Sequence, residues 1–215
     1  MFKLNTNHGS LNSFYIDTIH TQLHRSISIY PRLMVLRFDL HLPYIPEPND
    51  LMGGDSPCHF LRCDNEVISR FFASLRAKIH YSLQRKRNNG KRVHPCDPKY
   101  IWVREFGGNG KSHYHVALLV NKDVYAYPGH YGYCGNMDSL VNLIRSAWAS
   151  ALGGDYEDGF NLVYFPTNPY YHLNVNDYHG FDSLVNDVLY RLSYFSKDIT
   201  KPYGDGYRCI GYSQY

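Results

Sequence analysis

YIWVREFGGNGKSHYHVALLV, residues 100–120, contains two runs rich in apolar, β-branched and aromatic residues on either side of a glycine cluster. The cluster at residues 107–110 (GGNG) is a strong turn signal, because glycine and asparagine adopt backbone angles that other residues avoid. The flanking runs, residues 100–106 and 112–120, are therefore predicted to be the strands of a β-hairpin.

Two histidines on the second of these strands make it a candidate metal-binding strand. His113 and His115 are separated by one residue, so on a strand their side chains point to the same face and can hold one ion. A His-x-His pair alone is a weak signal, since such pairs also occur by chance. Two imidazoles would leave coordination positions for phosphate oxygens and water, and magnesium or manganese would suit phosphate chemistry.

Glu105, on the first strand, is the candidate third ligand, and the length of the hairpin loop determines whether it can take part. With an odd number of loop residues, for example residues 108–110, Glu105 lies opposite His113. With two or four loop residues Arg104 occupies that position, and Glu105 points to the other face. The glycines permit either register, so the sequence leaves this question open.

Outside the hairpin, hydrophobic periodicity predicts four helices and two more strands. The helices are predicted at residues 11–29, 64–87, 137–152 and 181–200, and the strands at residues 33–42 and 160–165. In the second helix Asp64 is the expected N-cap, and the predicted buried stripe is Val67, Ile68, Phe71, Phe72, Leu75, Ile79 and Leu83. This order predicts an α+β fold with a central antiparallel sheet of four or five strands flanked by α-helices.

A chain of 215 residues is long enough for one domain with a substantial core. We expect an N-terminal helical extension at residues 1–32, a core at 33–201 and a tail at 202–215. No stretch approaches the roughly 20 apolar residues needed to span a bilayer, and the N-terminus has no apolar signal core. The expected location is therefore the cytoplasm, where the five cysteines would be free thiols. Cys58-His59 with Cys63 lacks the second ligand pair of a zinc site.

The last predicted helix carries a second polar pattern. Tyr190, Tyr194, Lys197 and Lys201 recur at intervals that place them on one face, opposite an apolar stripe. An ordinary amphipathic helix with a polar Tyr/Lys face has the same pattern. A tyrosine held near a metal-bound phosphate can, however, attack it and become joined to nucleic acid. Lys197, one turn from Tyr194, could favour the phenolate or stabilise charge on the phosphate.

The net charge is only +3, but the basic residues are concentrated in one interval. Between Glu66 and Asp97 there is no acidic residue, and such a stretch would attract phosphates. A solvated helix face followed by a basic loop is the alternative explanation. The predicted DNA contacts in this interval are Arg76, Arg85, Lys86, Arg87, Lys91 and Arg92. The 21 tyrosines, 11 phenylalanines and 2 tryptophans include rings that could stack unpaired bases.

Together these motifs resemble the HUH endonuclease superfamily of rolling-circle replication initiators, relaxases and related transposases. Residues 102–105 (WVRE), 110–116 (GKSHYHV) and 190–197 (YRLSYFSK) are similar to one branch in particular. That branch comprises replication proteins of filamentous phages and phage satellites, including the YagK/YfjJ C-terminal domain group. The resemblance covers roughly residues 33–201, and its specificity lies in the combination of motifs.

The resemblance implies an HUH or palm-like fold and a single-stranded DNA endonuclease that nicks and rejoins a strand at a replication origin. His113, His115 and Glu105 would bind the divalent cation, and Lys197 would assist. Tyr194 would keep the 5′ phosphate as a phosphotyrosine and free a 3′ hydroxyl, with Tyr190 as a candidate second nucleophile. Host helicase and polymerase in a bacterial cytoplasm are the implied partners. Tyr114, between the histidines, is a departure, because bulky aliphatic residues are usual there.

Other functions are compatible with the same residues. A relaxase or single-strand transposase would use the same chemistry on a different element. A non-catalytic DNA- or RNA-binding module could use the basic helix and an aromatic sheet without cleavage. In an interaction protein both motifs would occur by chance. Replacing Tyr194 by Phe separates the first two classes, because binding should survive in both while nicking is lost only in an enzyme.

Overall fold

The computed structural model describes residues 3–7, 9–43, 61–107, 112–132 and 136–214. Residues 44–60, which include Cys58 and His59, lie outside these ranges, as do residues 108–111 of the hairpin turn and residues 133–135. The predicted α+β fold with a central antiparallel sheet is confirmed.

Six antiparallel strands form one sheet in the described part of the chain, in the order β4-β1-β3-β2-β6, with β5 also pairing with β1. The strands are β1 (Arg32–His41), β2 (Lys99–Phe106), β3 (Ser112–Asn121), β4 (Val163–Tyr164), β5 (Tyr170–Asn174) and β6 (Ile210–Tyr212). The central β1 and β3 are buried along most of their length, and the predicted hairpin is formed by β2 and β3.

Helices cover both faces of this sheet. They are α1 (Ser13–Ile29), α2 (Val67–Asn88), α3 (Leu140–Leu152), α4 (Tyr156–Leu162) and α5 (Phe181–Ser193), with a 3₁₀ turn at Tyr194–Ser196. On one face α2 and α3 pack against β1 and β3, and the predicted apolar stripe of α2 is buried throughout. On the other face α1 and α5 enclose a second core with the alternate residues of the same strands. No described helix is long and apolar enough to cross a membrane.

The predicted strand at residues 160–165 is wrong in most of its length, because α4 occupies residues 156–162. The helix begins with a capping box, in which Asp155 accepts from the Glu157 and Asp158 backbone and the Asp158 side chain accepts from the Asp155 backbone. Gly159 is buried and lets α4 lie directly against the backbone of α3 at Arg145. Only β4 remains of the predicted strand, and β5 forms in a segment that was predicted to be a loop.

Both predicted terminal segments take part in the core. The N-terminal helix, expected as an extension, buries Ile19 and Leu23 against the sheet. The tail expected after residue 201 supplies β6, which pairs with Ile101–Val103 of β2 and forms that edge of the sheet. In α2 the helix begins at Val67 rather than Asp64, and the Asp64 carboxylate accepts a hydrogen bond from the Glu66 backbone.

Candidate metal centre and nucleophile

The register of the β2–β3 hairpin places Glu105 directly opposite His113. Residues 107–111 separate the two strands, an odd number, so Glu105, His113 and His115 lie on the same face. One potential ligand atom from each of the three side chains lies within 4.8 Å of the others. The question that the sequence left open is therefore answered in favour of a three-residue cluster.

Two of the three spacings match those of ligands on one divalent cation, and all three atoms lie within 4.8 Å of one another. His113 Nε2 lies 3.3 Å from His115 Nε2, and His115 Nε2 lies 3.3 Å from Glu105 Oε2. Ligands about 2.1 Å from an ion are about 3.0–3.4 Å apart at octahedral or tetrahedral angles. Burial and the neighbouring His115 lower the pKa of His113 to about 4, so its imidazole is neutral and able to coordinate.

Asp39 on β1 orients His115. The two residues face each other across the β1–β3 pair, and Asp39 Oδ1 lies 2.6 Å from His115 Nδ1. This contact leaves Nε2 facing His113 and Glu105, the arrangement by which proteins commonly orient a metal-ligating imidazole. Burial lowers the pKa of His115, but hydrogen bonds that its ring donates to Asp39 and Glu105 outweigh it and raise the value overall. Sequence reasoning missed this role of Asp39, which lies within the predicted strand at residues 33–42.

Glu105 is fully buried and carries two ammonium partners. Lys201 Nζ lies 2.6 Å from Oε1, and Lys197 Nζ lies 2.9 Å from Oε2. Burial alone would raise the pKa of Glu105, but His115 and Lys201 outweigh it and hold the value well below the usual range. The side chain is therefore a carboxylate at any physiological pH, as a metal ligand requires.

Tyr194 lies beside this cluster. Its ring centroid is 5.3 Å from that of His115, and the Arg37 guanidinium lies 5.1 Å from the centre of the tyrosine ring. Lys197 Nζ donates a hydrogen bond to the phenolic oxygen and also contacts Glu105. One ammonium group thus connects the candidate nucleophile to the candidate metal ligand.

The expected Tyr/Lys face of one long helix is wrong. The helix ends at Ser193, and after the 3₁₀ turn Lys197 has an extended backbone. Lys197 and Lys201 are buried, with only 6% and 8% of their surface exposed, rather than directed into solvent. The buried charge of Glu105 explains this difference, because two lysines beside it are paired instead of solvated.

Tyr190 is on α5, one turn before Tyr194, and lies elsewhere. The Lys3 ammonium is 5.6 Å from its ring centroid, so the ring faces the N-terminal segment. Within the described ranges, no hydrogen bond or ring contact joins Tyr190 to Glu105, His113 or His115. The structure therefore brings one of the two candidate tyrosines to the cluster.

The N-terminal segment holds the tyrosine turn in place. The Asn12 backbone donates to Ser196 O over 2.7 Å, and the Asp198 backbone donates to Ser10 O over 3.1 Å. Between these bonds, Leu11 and Lys197 form an isolated antiparallel bridge. The Asn12 side chain also caps α1 by accepting from the Tyr15 backbone. The position of Tyr194 therefore depends on a segment almost the whole chain away in sequence.

The predicted DNA-contacting residues lie far from this cluster, on and after α2. Asp97 pairs with Arg76 and lies eight residues before Glu105, just ahead of the other end of β2. At 3.3 Å per residue of strand, Asp97 and Glu105 are about 26 Å apart. The helix α2 itself packs on the opposite face of the sheet. Arg76 and Arg85 are exposed and paired with Asp97 and Asp138, and three further basic residues are exposed: Arg87, Lys91 and Arg92. The Lys86 ammonium lies 5.8 Å from the Tyr125 ring.

Comparison with known sequences places the chain in a family. A model of the YagK/YfjJ C-terminal domain matches residues 2–213. The chain belongs to this family. Two YagK/YfjJ relatives from Escherichia coli K12 are described as uncharacterized. YagK is 40% identical over 185 residues, covering 86% of this chain and 85% of that protein. YfjJ is 36% identical over 210 residues and 96% of each chain. No solved structure matches.

Proposed function

We propose that this protein is a metal-dependent endonuclease that nicks and rejoins single-stranded DNA through Tyr194, as a rolling-circle replication initiator does. The observation that carries the proposal is the shared ammonium of Lys197, which contacts both the Tyr194 hydroxyl and the buried carboxylate of Glu105. The motifs that resemble the HUH superfamily thus converge on one side of the sheet.

The cation would be held by Glu105, His113 and His115, an ionised carboxylate and two imidazoles, of which His113 is neutral and His115 would release its proton on binding. Magnesium or manganese bound there would polarise a phosphate oxygen of the DNA and make the phosphorus more electrophilic. Asp39 would keep His115 Nε2 directed at the site throughout, since its own contact is with Nδ1.

In the proposed reaction, the phenolic oxygen of Tyr194 attacks the phosphorus and the bond from phosphorus to the 3′ oxygen breaks. The product is a 5′-phosphotyrosine and a free 3′ hydroxyl, which takes up a proton as the phenol loses one to solvent. Lys197 stabilises the developing phenolate because its ammonium already donates to that oxygen. Rejoining is the reverse reaction, in which a 3′ hydroxyl attacks the phosphotyrosine.

We assign the nucleophile to Tyr194 alone, because the ring of Tyr190 packs beside Lys3 rather than beside the cluster. A relaxase or a single-strand transposase would use the same groups, and the DNA sequence that is cut distinguishes these functions from replication initiation. The exposed basic residues after α2 are proposed to contact DNA outside the cleavage site.

The decisive experiment uses labelled single-stranded oligonucleotides that tile the replication origin of the protein's own genetic element. They are incubated with the protein and either manganese or EDTA, and the products are separated on a denaturing gel. We expect a manganese-dependent covalent adduct with the wild-type protein and with Tyr190→Phe, and none with Tyr194→Phe.

Tyr190→Phe is the matched control, since it removes the same hydroxyl one helical turn away. An adduct that survives in Tyr194→Phe but is lost in Tyr190→Phe would reverse the assignment. Tight binding of these oligonucleotides without any adduct would instead support a non-catalytic DNA-binding module.

A further inference from the structure

A cavity of about 380 Å³ lies on the sheet face opposite the side chains of Glu105, His113 and His115. Its walls come from the start of α2, from β2 and β3 and from the turn before β6. The charged and aromatic residues of its lining are Glu66, Trp102, Arg104, Tyr114, Tyr207 and Arg208. The volume is within the range of small-ligand sites and is ample for one nucleotide base.

Aromatic and arginine side chains form two of the walls. Trp102 on β2 packs edge-on against Tyr114, with ring centroids 5.7 Å apart. Arg104 is only 5% exposed, and its guanidinium lies 5.7 Å from the ring of Tyr207. Asp205 holds that guanidinium with two contacts of 2.8 and 2.6 Å. The wall is therefore fixed before any ligand arrives, which lowers the entropy cost of binding.

The opposite wall suits a polar base edge. It carries Glu66, the N-cap residue of α2, and the backbone N–H groups of Glu66 and Val67 already donate to Asp64. A carboxylate at this wall can accept from the N–H donors of a base and repels a phosphate. Arg208 lines the same cavity and is exposed, while Asn65 and Ser69 supply neutral hydrogen-bonding groups.

The cavity and the Glu105, His113 and His115 side chains lie on opposite faces of the same hairpin. Arg104 precedes Glu105 on β2, and Tyr114 lies between the two histidines on β3, so alternate residues of one hairpin build the two sites. Both are at the loop end of the hairpin. A single strand that passes around this end could place a phosphate at Tyr194 and a base a few nucleotides away in the cavity.

We propose that this cavity binds one unpaired nucleotide of the DNA strand, with its base against Trp102 and Tyr207 and its phosphate near Arg208. The identification of the strand rests on the proposed nicking function, whereas the aromatic walls and the Arg208 guanidinium are independent of it. Stacking of an unpaired base on an aromatic ring is sequence-tolerant, and the polar groups would supply a preference among bases.

Trp102 is a built-in reporter for this proposal, because the other tryptophan, Trp148, is fully buried in the core. The experiment measures tryptophan fluorescence during titration with oligo(dT) and oligo(dA) of eight nucleotides. It uses Tyr194→Phe protein in EDTA, so neither the nucleophile nor a cation contributes. We expect saturable quenching that disappears in Trp102→Phe and an affinity at least about tenfold weaker in Tyr207→Ala and in Arg208→Ala.

Tyr178→Ala is the control, because this tyrosine is 87% exposed and does not line the cavity. The proposal is overturned if neither oligonucleotide quenches the fluorescence, or if Tyr207→Ala and Arg208→Ala bind as tightly as the control. If the wild-type protein forms no adduct in the origin assay but the oligonucleotides still quench the fluorescence, the proposed enzyme is rejected and the nucleotide site is supported. Nicking that persists without quenching would reject only the nucleotide site.

Discussion

Asp39 is the residue that most clearly depends on its partner across the sheet. It lies 76 positions from His115 in sequence, yet its carboxylate contacts Nδ1 of that histidine over 2.6 Å. Burial would raise the pKa of Asp39, but the hydrogen bond with His115 and the charges nearby outweigh it and keep the carboxyl ionised. An ionised partner increases the basicity of the imidazole and so the strength of its bond to a metal.

Asp39→Asn should therefore weaken metal binding by about 10–100-fold, because the neutral amide keeps the shape of the side chain but not its charge. Calorimetric titration with manganese measures the affinity directly and needs no DNA. Asp123→Asn is the matched control, since Asp123 forms an ion pair with Arg32 at the far end of the same strand pair. Equal manganese affinity in the two variants would contradict the assigned role of Asp39.

Glu105 and its two lysines explain why the tyrosine segment leaves the helical path. The carboxylate is fully buried, and an unpaired buried charge costs several kcal/mol, so the chain supplies ammonium groups from residues 197 and 201. A continued helix would have placed both lysines on the solvent side with the tyrosines. The local periodicity of the segment was therefore overridden by two long-range ion pairs with Glu105.

The element that differs most from its sequence pattern is α4. Residues 160–165 are rich in aromatic and aliphatic residues, which is typical of a strand, but the capping box at Asp155 and the packing of Gly159 on α3 favour a helix. A Cβ atom at Gly159 would lie 2.1 Å from the backbone oxygen of Arg145, so only glycine allows this approach. The contact of α4 with α3 is thus made through the backbone.

Gly159→Ala should destabilise the protein, although alanine favours a helix over glycine by about 1 kcal/mol. The clash is with backbone and cannot be relieved by a rotamer change, and overpacking costs about 1–3 kcal/mol or more, so the net effect is a loss. Urea unfolding measures the change. In Gly132→Ala, where an added Cβ meets no atom within 4 Å, we expect little effect. A Gly159→Ala protein as stable as wild type would show that α3 and α4 separate readily.

Elements with long apolar repeats were predictable, and short ones were not. The buried stripe of α2 runs from Val67 to Leu83, about 4.5 turns at 3.6 residues per turn, and each position follows from the helical period. β6 has three residues and β5 has one fully buried side chain, Leu173, so neither contains a detectable repeat. These two strands exist because β2 and β1 present unpaired edges to them.

For the molecule as a whole, Asp97 joins three elements at the end of the sheet away from Glu105, His113 and His115. Its carboxylate contacts Arg76 of α2 over 2.8 Å and Lys99 of β2 over 3.1 Å. Its backbone exchanges hydrogen bonds with the hydroxyl of Tyr30, which follows α1. Burial raises the pKa of Asp97, but Lys99 and Arg76 outweigh it and the net shift is downward.

A lowered pKa means that the unfolded chain binds a proton at higher pH than the folded protein does. The stabilisation from Asp97 is therefore complete above the usual aspartate value of 3.8 and is lost as the pH falls through the lower folded value. Asp97→Asn should cost more stability at pH 6 than at pH 3, as measured by urea unfolding at both. Asp187→Asn, at an exposed position on α5, is the control. A cost for Asp97→Asn that is the same at both pH values would contradict this pairing.

The local pattern of the sequence was sufficient for the hairpin, for α2 and for the two histidines on one face, because strand and helix periods depend only on neighbouring residues. The third ligand depended on a loop length that glycines left open, and the strand pairing settled it. Asp39 and Lys201 joined the site only in the folded chain, across separations such as the 96 residues between Glu105 and Lys201, and the contact of Lys197 with Glu105 also depends on the fold. Contacts over such distances are set by which strands pair and which charges must be buried together, and no local repeat records that choice.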